Sequence, residues 1–182
     1  MEYRFERVEP VREHDEYANW RAHISVLYGR MNPPVKINIT TGDSITPAQI
    51  EYPYPRMFDE GRIAVMSYPM ATTLAEKFEA VVSRGTANTR GRNFYGIYAL
   101  LNAHEHTIDF DQIRSALDAA SAKRGSAETV AEYASVLEKV RSAPQMISVW
   151  DSYAKATPYA ENIAFDTVIE ASLELGRHIF NR

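Results

Sequence analysis

Seven of the nine prolines lie at or before Pro69, and only Pro144 and Pro158 follow. Proline lacks an amide hydrogen and breaks helix interiors, so long helices are excluded from the first stretch and open to the rest. The pattern of apolar residues agrees with that division. Glu2–Glu9 alternates, with Tyr3, Phe5 and, under strict alternation, Arg7 on one face. Ala22–Tyr28 carries Ile24, Val26 and Tyr28, and Val35–Ile39 sets Val35, Ile37 and Ile39 against Lys36 and Asn38. Gly42-Asp43 marks a turn, and Ile63–Met66 reads as a short fourth strand.

Beyond Pro69 the spacing becomes helical. Leu74, Phe78, Val81 and Val82 form one stripe, with Pro69 suited to the first turn and Gly85 to the stop. Phe94, Ile97, Tyr98 and Leu101 form the next, with Asn88 or Thr89 available as N-cap. Phe110–Lys123, Ala127–Arg141, Gln145–Lys155 and Ile163–Phe180 complete a helical half. The reading is an α+β protein, a strand-rich part over residues 1–69 and a helical part over 70–182 of the same domain.

Composition narrows the function classes. Hydrophobic residues at 45% and charged residues at 24% are the balance of a soluble globular chain. Net charge is −4 and the pI about 5.8, so no global positive field draws in a polyanion. With no cysteine, disulfides, thiolate zinc sites and cysteine nucleophiles are excluded. The first residues alternate charge with aromatics and no run reaches a membrane span, so the expected location is cytoplasmic, with no membrane partner.

One stretch departs from the average. From Ala80 to His104 there is no carboxylate, where 24 acids in 182 residues would supply about three. Lys77 precedes it, and Arg84, Arg90 and Arg92 lie within it. On a helix Lys77 and Arg84 fall on one side, and the Gly85–Gly91 connection carries Arg90 and Arg92 to the start of the next helix, where anions are favoured. The pattern suits a phosphate-binding corner. It equally suits a basic edge whose long stems cover the core.

Other candidates weigh less. His104-Glu105-His106 has metal-ligand residue types, but alternate residues in a short polar loop face water. His14 and His178 lack recognisable partners, and Ser67, Ser83 and Ser126 lack a nucleophile-elbow context. Trp20, Trp150 and the tyrosines read as core or interface rather than a base-stacking platform. Tyr52, Tyr54 and Phe58 among Pro53 and Pro55 read as a loop that docks a partner or packs on the sheet.

Two blocks resemble a known family. Val35–Pro47 (Val-Lys-Ile-Asn-Ile-Thr-Thr-Gly-Asp-Ser-Ile-Thr-Pro) is similar to a stretch of the AbiEii/AbiGii-type toxin nucleotidyltransferases. The second block comprises Leu74–Lys77 (Leu-Ala-Glu-Lys), Ser83–Gly85 (Ser-Arg-Gly), Asn88–Arg90 (Asn-Thr-Arg) and Arg92–Tyr98 (Arg-Asn-Phe-Tyr-Gly-Ile-Tyr). The resemblance implies a nucleotidyltransferase-type sheet followed by a helical bundle. It also implies metal-assisted transfer of a nucleotide to an acceptor and a place in abortive phage resistance and toxin–antitoxin pairs.

This chain departs from the family's pattern. The opening Gly-Ser turn with its Asp-x-Asp pair has no counterpart in residues 1–34; Asp15 is isolated and Asp43 lies beyond the aligned strand. Asn38 stands where the family's strand carries a metal-binding acid, and Asn93 and Gly96 replace the two acids of its basic-Asp-x-Tyr-Asp motif. An amide holds Mg²⁺ less well than aspartate, and Gly96 costs about 1 kcal/mol relative to alanine inside a helix. The cations Lys36, Lys77, Arg84, Arg90 and Arg92 remain. The expectation is a degenerate member without resident metal or cofactor that binds a nucleotide or phosphate, an antitoxin or another chain. The alternative is a working transferase, Mg²⁺ included, completed by a second chain. The strands Ala22–Tyr28 and Val35–Ile39 are expected to leave an apolar-flanked edge that favours a homo-oligomer, unless Glu2–Glu9 or the Pro53–Phe58 loop covers it.

Overall fold

The computed structural model describes residues 1–11, 19–41, 45–104 and 106–180. The protein is α+β and divides into two compact units, Met1–Asp43 and Ser44–Arg182.

The first unit is an antiparallel sheet in the order β1 (Glu2–Pro10), β2 (Asn19–Leu27), β3 (Pro34–Thr40). β2 and β3 are joined by a tight turn in which Gly29 takes φ 59°, closed by Tyr28 and Met31 exchanging backbone hydrogen bonds of 3.0 Å. Register sorts the side chains, because directly opposed residues share a face. Tyr3 opposes Val26, Phe5 opposes Ile24 and Trp20 opposes Ile39, while Ala22 and Ile24 oppose Ile37 and Val35. The pairing shifts between Phe5 and Arg7, so Val8, not Arg7, joins this face opposite Ala22. The result is one wholly uncharged apolar face and one polar face. β2 is the middle strand, so Ala22–Tyr28 is not an edge: β1 covers one side of it and β3 is an outer strand.

The second unit begins with a hairpin of β4 (Ile50–Pro55) and β5 (Arg62–Ser67). Tyr52 and Tyr54, read from the sequence as part of a loop, instead lie on β4 opposite Val65 and Ile63. Pro53 and Pro55 hid the strand, but a two-stranded ribbon leaves outward amide positions where proline removes no ladder bond. Among the described residues seven α-helices follow: α1 (Met70–Arg84), α2 (Gly91–His104), α3 (Phe110–Arg124), α4 (Ala127–Ala131), α5 (Tyr133–Ser142), α6 (Pro144–Lys155) and α7 (Phe165–Phe180). The segment Ala127–Arg141 is not one helix. Glu132 leaves helical geometry at ψ 20°, and its N–H reaches back only three residues to Thr129, ending α4.

α1 packs against α2 and α3, and α7 against α2 and α5. Leu74, Phe78, Phe94, Ile97, Leu117, Leu137, Trp150 and Leu175 are buried in the core. Trp150 Nε1–H donates to Ile163 O at 2.9 Å, so this tryptophan is core with its polar atom satisfied. Among the described residues no helix is long and apolar enough to cross a membrane.

Candidate functional site

The carboxylate-free stretch folds into a corner between α1 and α2. α1 stops at Gly85, whose φ of 49° suits a residue without Cβ and whose N–H donates to Val81 and Val82 carbonyls. A single 3₁₀ turn, Gly85–Ala87, then leads to Asn88, which is buried. Its N–H donates to Gly85 O at 3.1 Å, its Nδ2 donates to Ala80 O at 3.5 Å, and its Oδ1 accepts from the Arg90 N–H at 2.9 Å. One side chain thus ties the connection back to α1 and fixes the backbone at Arg90, as Asx residues do at helix starts.

Lys77 on α1 reaches across to α2. A Cβ built on Gly96 would lie 2.7 Å from Lys77 Cε and 2.9 Å from both Cδ and Nζ, so the lysine head lies directly on this glycine. Burial and then the Arg92 guanidinium push its pKa below the ordinary lysine value, while Glu76 acts in the opposite sense. Arg84 and Arg92 are exposed. Among the described residues none of Lys77, Arg84 and Arg92 has an ion-pair partner. Elsewhere Arg56, Arg124, Arg141 and Arg177 all do. Of the corner's cations, Arg92 acts on the half-buried Lys77, and two like charges so placed create a potential that an anion relieves.

Beside this corner a cavity of about 580 Å³ runs between the start of α2 and α6. Thr89, Arg90, Gly91 and Arg92 form one wall; Ser148, Val149, Ser152 and Tyr153 form the other. Gly91 lets the two helices approach, since a Cβ there would fall 2.6 Å from Tyr153 Cβ. The Tyr153 phenol is pushed up to about 12, first by burial and then by hydrogen bonding with Tyr159, so it stays a neutral donor at physiological pH. This α6 wall was missed in the sequence: serines at an i, i+4 spacing beside a tyrosine look like any polar helix face.

Lys36 and Asn38 belong to the first unit, on the polar face of β3. Arg21 Nε–H donates to Asn38 Oδ1 at 2.9 Å, so the amide serves an arginine. Asn93 is buried near the start of α2, with its N–H on Arg90 O at 3.0 Å. In the first unit Asn38 offers one neutral oxygen that is already engaged, where an amide holds a divalent ion less well than a carboxylate. In the second unit the Lys77 head lies where a side chain at 96 would emerge. Among the described residues no group of three potential metal ligands converges.

His104 and His106 are exposed, and Glu105, His14, Asp15 and Asp43 lie outside the described residues. His178 stacks on Phe110 at 4.3 Å, a partner sequence reading did not identify. Ser126 Oγ–H donates to Glu79 at 2.7 Å and Ser67 to the Tyr68 carbonyl, neither in the setting of a nucleophile.

The chain matches, over residues 2–171, the family model described as "Nucleotidyl transferase AbiEii toxin, Type IV TA system". No curated protein and no solved structure matches it.

Proposed function

Since the chain belongs to the AbiEii nucleotidyl transferase toxin family, we propose that it is a member that binds an anionic ligand, a nucleotide or a polyphosphate, at the α1–α2 corner without metal-dependent transfer. The observation that carries this reading is the Lys77 head, half-buried on Gly96 beside Arg92 and without an ion-pair partner. In a metal-dependent transferase, acids hold divalent ions that in turn hold the triphosphate. Here side-chain cations stand in that neighbourhood, and they can meet the phosphates directly. Arg90 and Arg92, entering the cavity, offer guanidinium forks suited to phosphate oxygens.

Calorimetric titration with inorganic tripolyphosphate and with ATP, each with and without Mg²⁺, tests the reading. Binding of both without Mg²⁺, with no gain on adding it, is the expected result. No binding, or binding that requires Mg²⁺, overturns it.

A second reading draws on the first unit. The apolar face of β1–β3 is uncharged and exposed, with Phe5 at 63% and Ile37 at 45%, and such a face favours association with another chain. An antitoxin, or a second copy of this chain, is the partner that toxin–antitoxin ancestry suggests. A partner chain that brought acids would complete an active transferase with Mg²⁺.

A further inference from the structure

We propose that Gly96 is the positioning residue of this corner: the missing side chain on α2 leaves the berth in which the Lys77 ammonium lies. The inference rests on the anion-binding reading above and concerns how the site is built.

The argument proceeds by elimination. Gly96 sits inside α2, where glycine is disfavoured and alanine preferred. Positive φ does not require it, for the described glycines with positive φ are Gly29, Gly85 and Gly125. Nor are the atoms closest to an added Cβ fixed ones. The contrast is Gly91, where an added Cβ would strike Tyr153 Cβ, an atom fixed to the backbone of α6. At Gly96 the nearest atoms are Cε, Cδ and Nζ of Lys77, the far end of a flexible side chain. A methyl group there would leave both helices in place and evict the lysine head.

Evicted, the head moves to where water solvates it and its distance from Arg92 changes. Lys77 is faced by Arg92 from α2 and by Glu76 from its own helix. In its berth the ammonium is partly stripped of water and beside a second positive charge, a pairing that an anion satisfies. Outside the berth it is an ordinary surface lysine, with its charge screened.

The test compares wild type, Gly96→Ala, Lys77→Ala and the double variant by tripolyphosphate titration, thermal melting and the NMR titration of the Lys77 side chain. Gly96→Ala is expected to melt no lower than wild type and to bring the Lys77 titration closer to an ordinary lysine. It should also weaken tripolyphosphate at least about tenfold, with the double variant no weaker than Lys77→Ala alone. Three results overturn the proposal. Gly96→Ala that binds like wild type while Lys77→Ala does not is the first, and it leaves the anion reading standing. Melting well below wild type is the second, and it makes Gly96 a packing glycine. A Lys77 titration that is the same in both proteins is the third, and it decides the matter even if wild type binds no tripolyphosphate and the anion reading itself fails.

Discussion

The two units treat their apolar residues in opposite ways. In the second, the helices close on themselves and Leu74, Phe78, Ile97, Leu137, Trp150 and Leu175 are buried. In the first, a sheet of comparable regularity buries only Ala22 among its hydrophobic residues, and Tyr3, Phe5, Trp20, Val35, Ile37 and Ile39 are exposed. Its polar face is nevertheless finished: Glu9 meets His23, Ser25 meets Glu6, and Arg21 meets Asn38. Regular pairing and a clean apolar stripe do not by themselves make a core, because a sheet needs a second layer to bury its face. Within the chain, the buried apolar core belongs to the helices, and the first sheet keeps its apolar face exposed.

The largest expected effect tests that division directly. Phe78 is fully buried on α1, with the Tyr133 ring 5.9 Å away. Phe78→Ala is expected to lose about 3–5 kcal/mol of unfolding free energy through lost burial and the void left behind. Ile37→Ala, on the exposed sheet face, should change the dilute chain by less than about 0.5 kcal/mol. At micromolar concentration it should instead lower the mass seen by light scattering. Urea denaturation together with scattering checks both. A loss above about 2 kcal/mol for Ile37→Ala in a strictly monomeric sample would break the comparison, because the face would then be part of a core.

Polar groups differ between the units in the same sense, with a smaller effect. Glu79 is buried in α1, held by Arg124 from the end of α3 and by the Ser126 hydroxyl that follows it. Arg124 is itself 42% exposed, so water recovers its charge when the partner goes. Glu79→Ala should therefore cost about 2 kcal/mol, less than a fully enclosed pair. The equivalent deletion on the sheet, Arg21→Ala, should fall within about 0.5 kcal/mol. Equal losses in urea denaturation would mean that the polar face of the sheet is as enclosed as the helical pair.

How far the sequence disclosed all this follows the same line. Helices with a one-sided stripe, such as α1 with Leu74, Phe78 and Val81, were legible because burial follows a period that the residues display. β4 was not, since its prolines imitate a loop until the pairing with β5 is known. The break at Glu132 was hidden because neither glycine nor proline marks it. At the candidate site the cations were legible as a run without acids. The Lys77–Gly96 contact was not, because it joins two helices at a distance in sequence that no motif records. Asn88 stood out, with Thr89, only as an N-cap candidate; its hold on the Arg90 N–H just before α2 and its reach back to α1 were not legible.

The smallest expected effect concerns acid. His23 Nε2 lies 2.9 Å from Glu9 Oε1, and that hydrogen bond, with the charges of His23 and Arg7, holds the Glu9 carboxyl below the ordinary glutamate value of 4.5. A carboxyl whose pKa is depressed in the folded state stabilises the fold fully above its unfolded value and ceases to do so as pH falls through the folded one. Protection of β1 and β2 amides should therefore begin to decline below about pH 4.5. Glu170 on α7, paired with Arg177 and Arg141, is depressed in the same direction and loses its pairs over the same acid range. Its helix, however, keeps Val168, Ile169 and Leu173 buried, so the lost pair has little to open. The sheet has no such reserve. Hydrogen exchange followed by NMR from pH 6 to pH 3 should show the sheet amides exposed first, and Glu9→Gln should flatten that response while leaving the helical amides as they were. Helical amides that lose protection before the sheet does would reverse the order of stability on which the comparison of the two units depends.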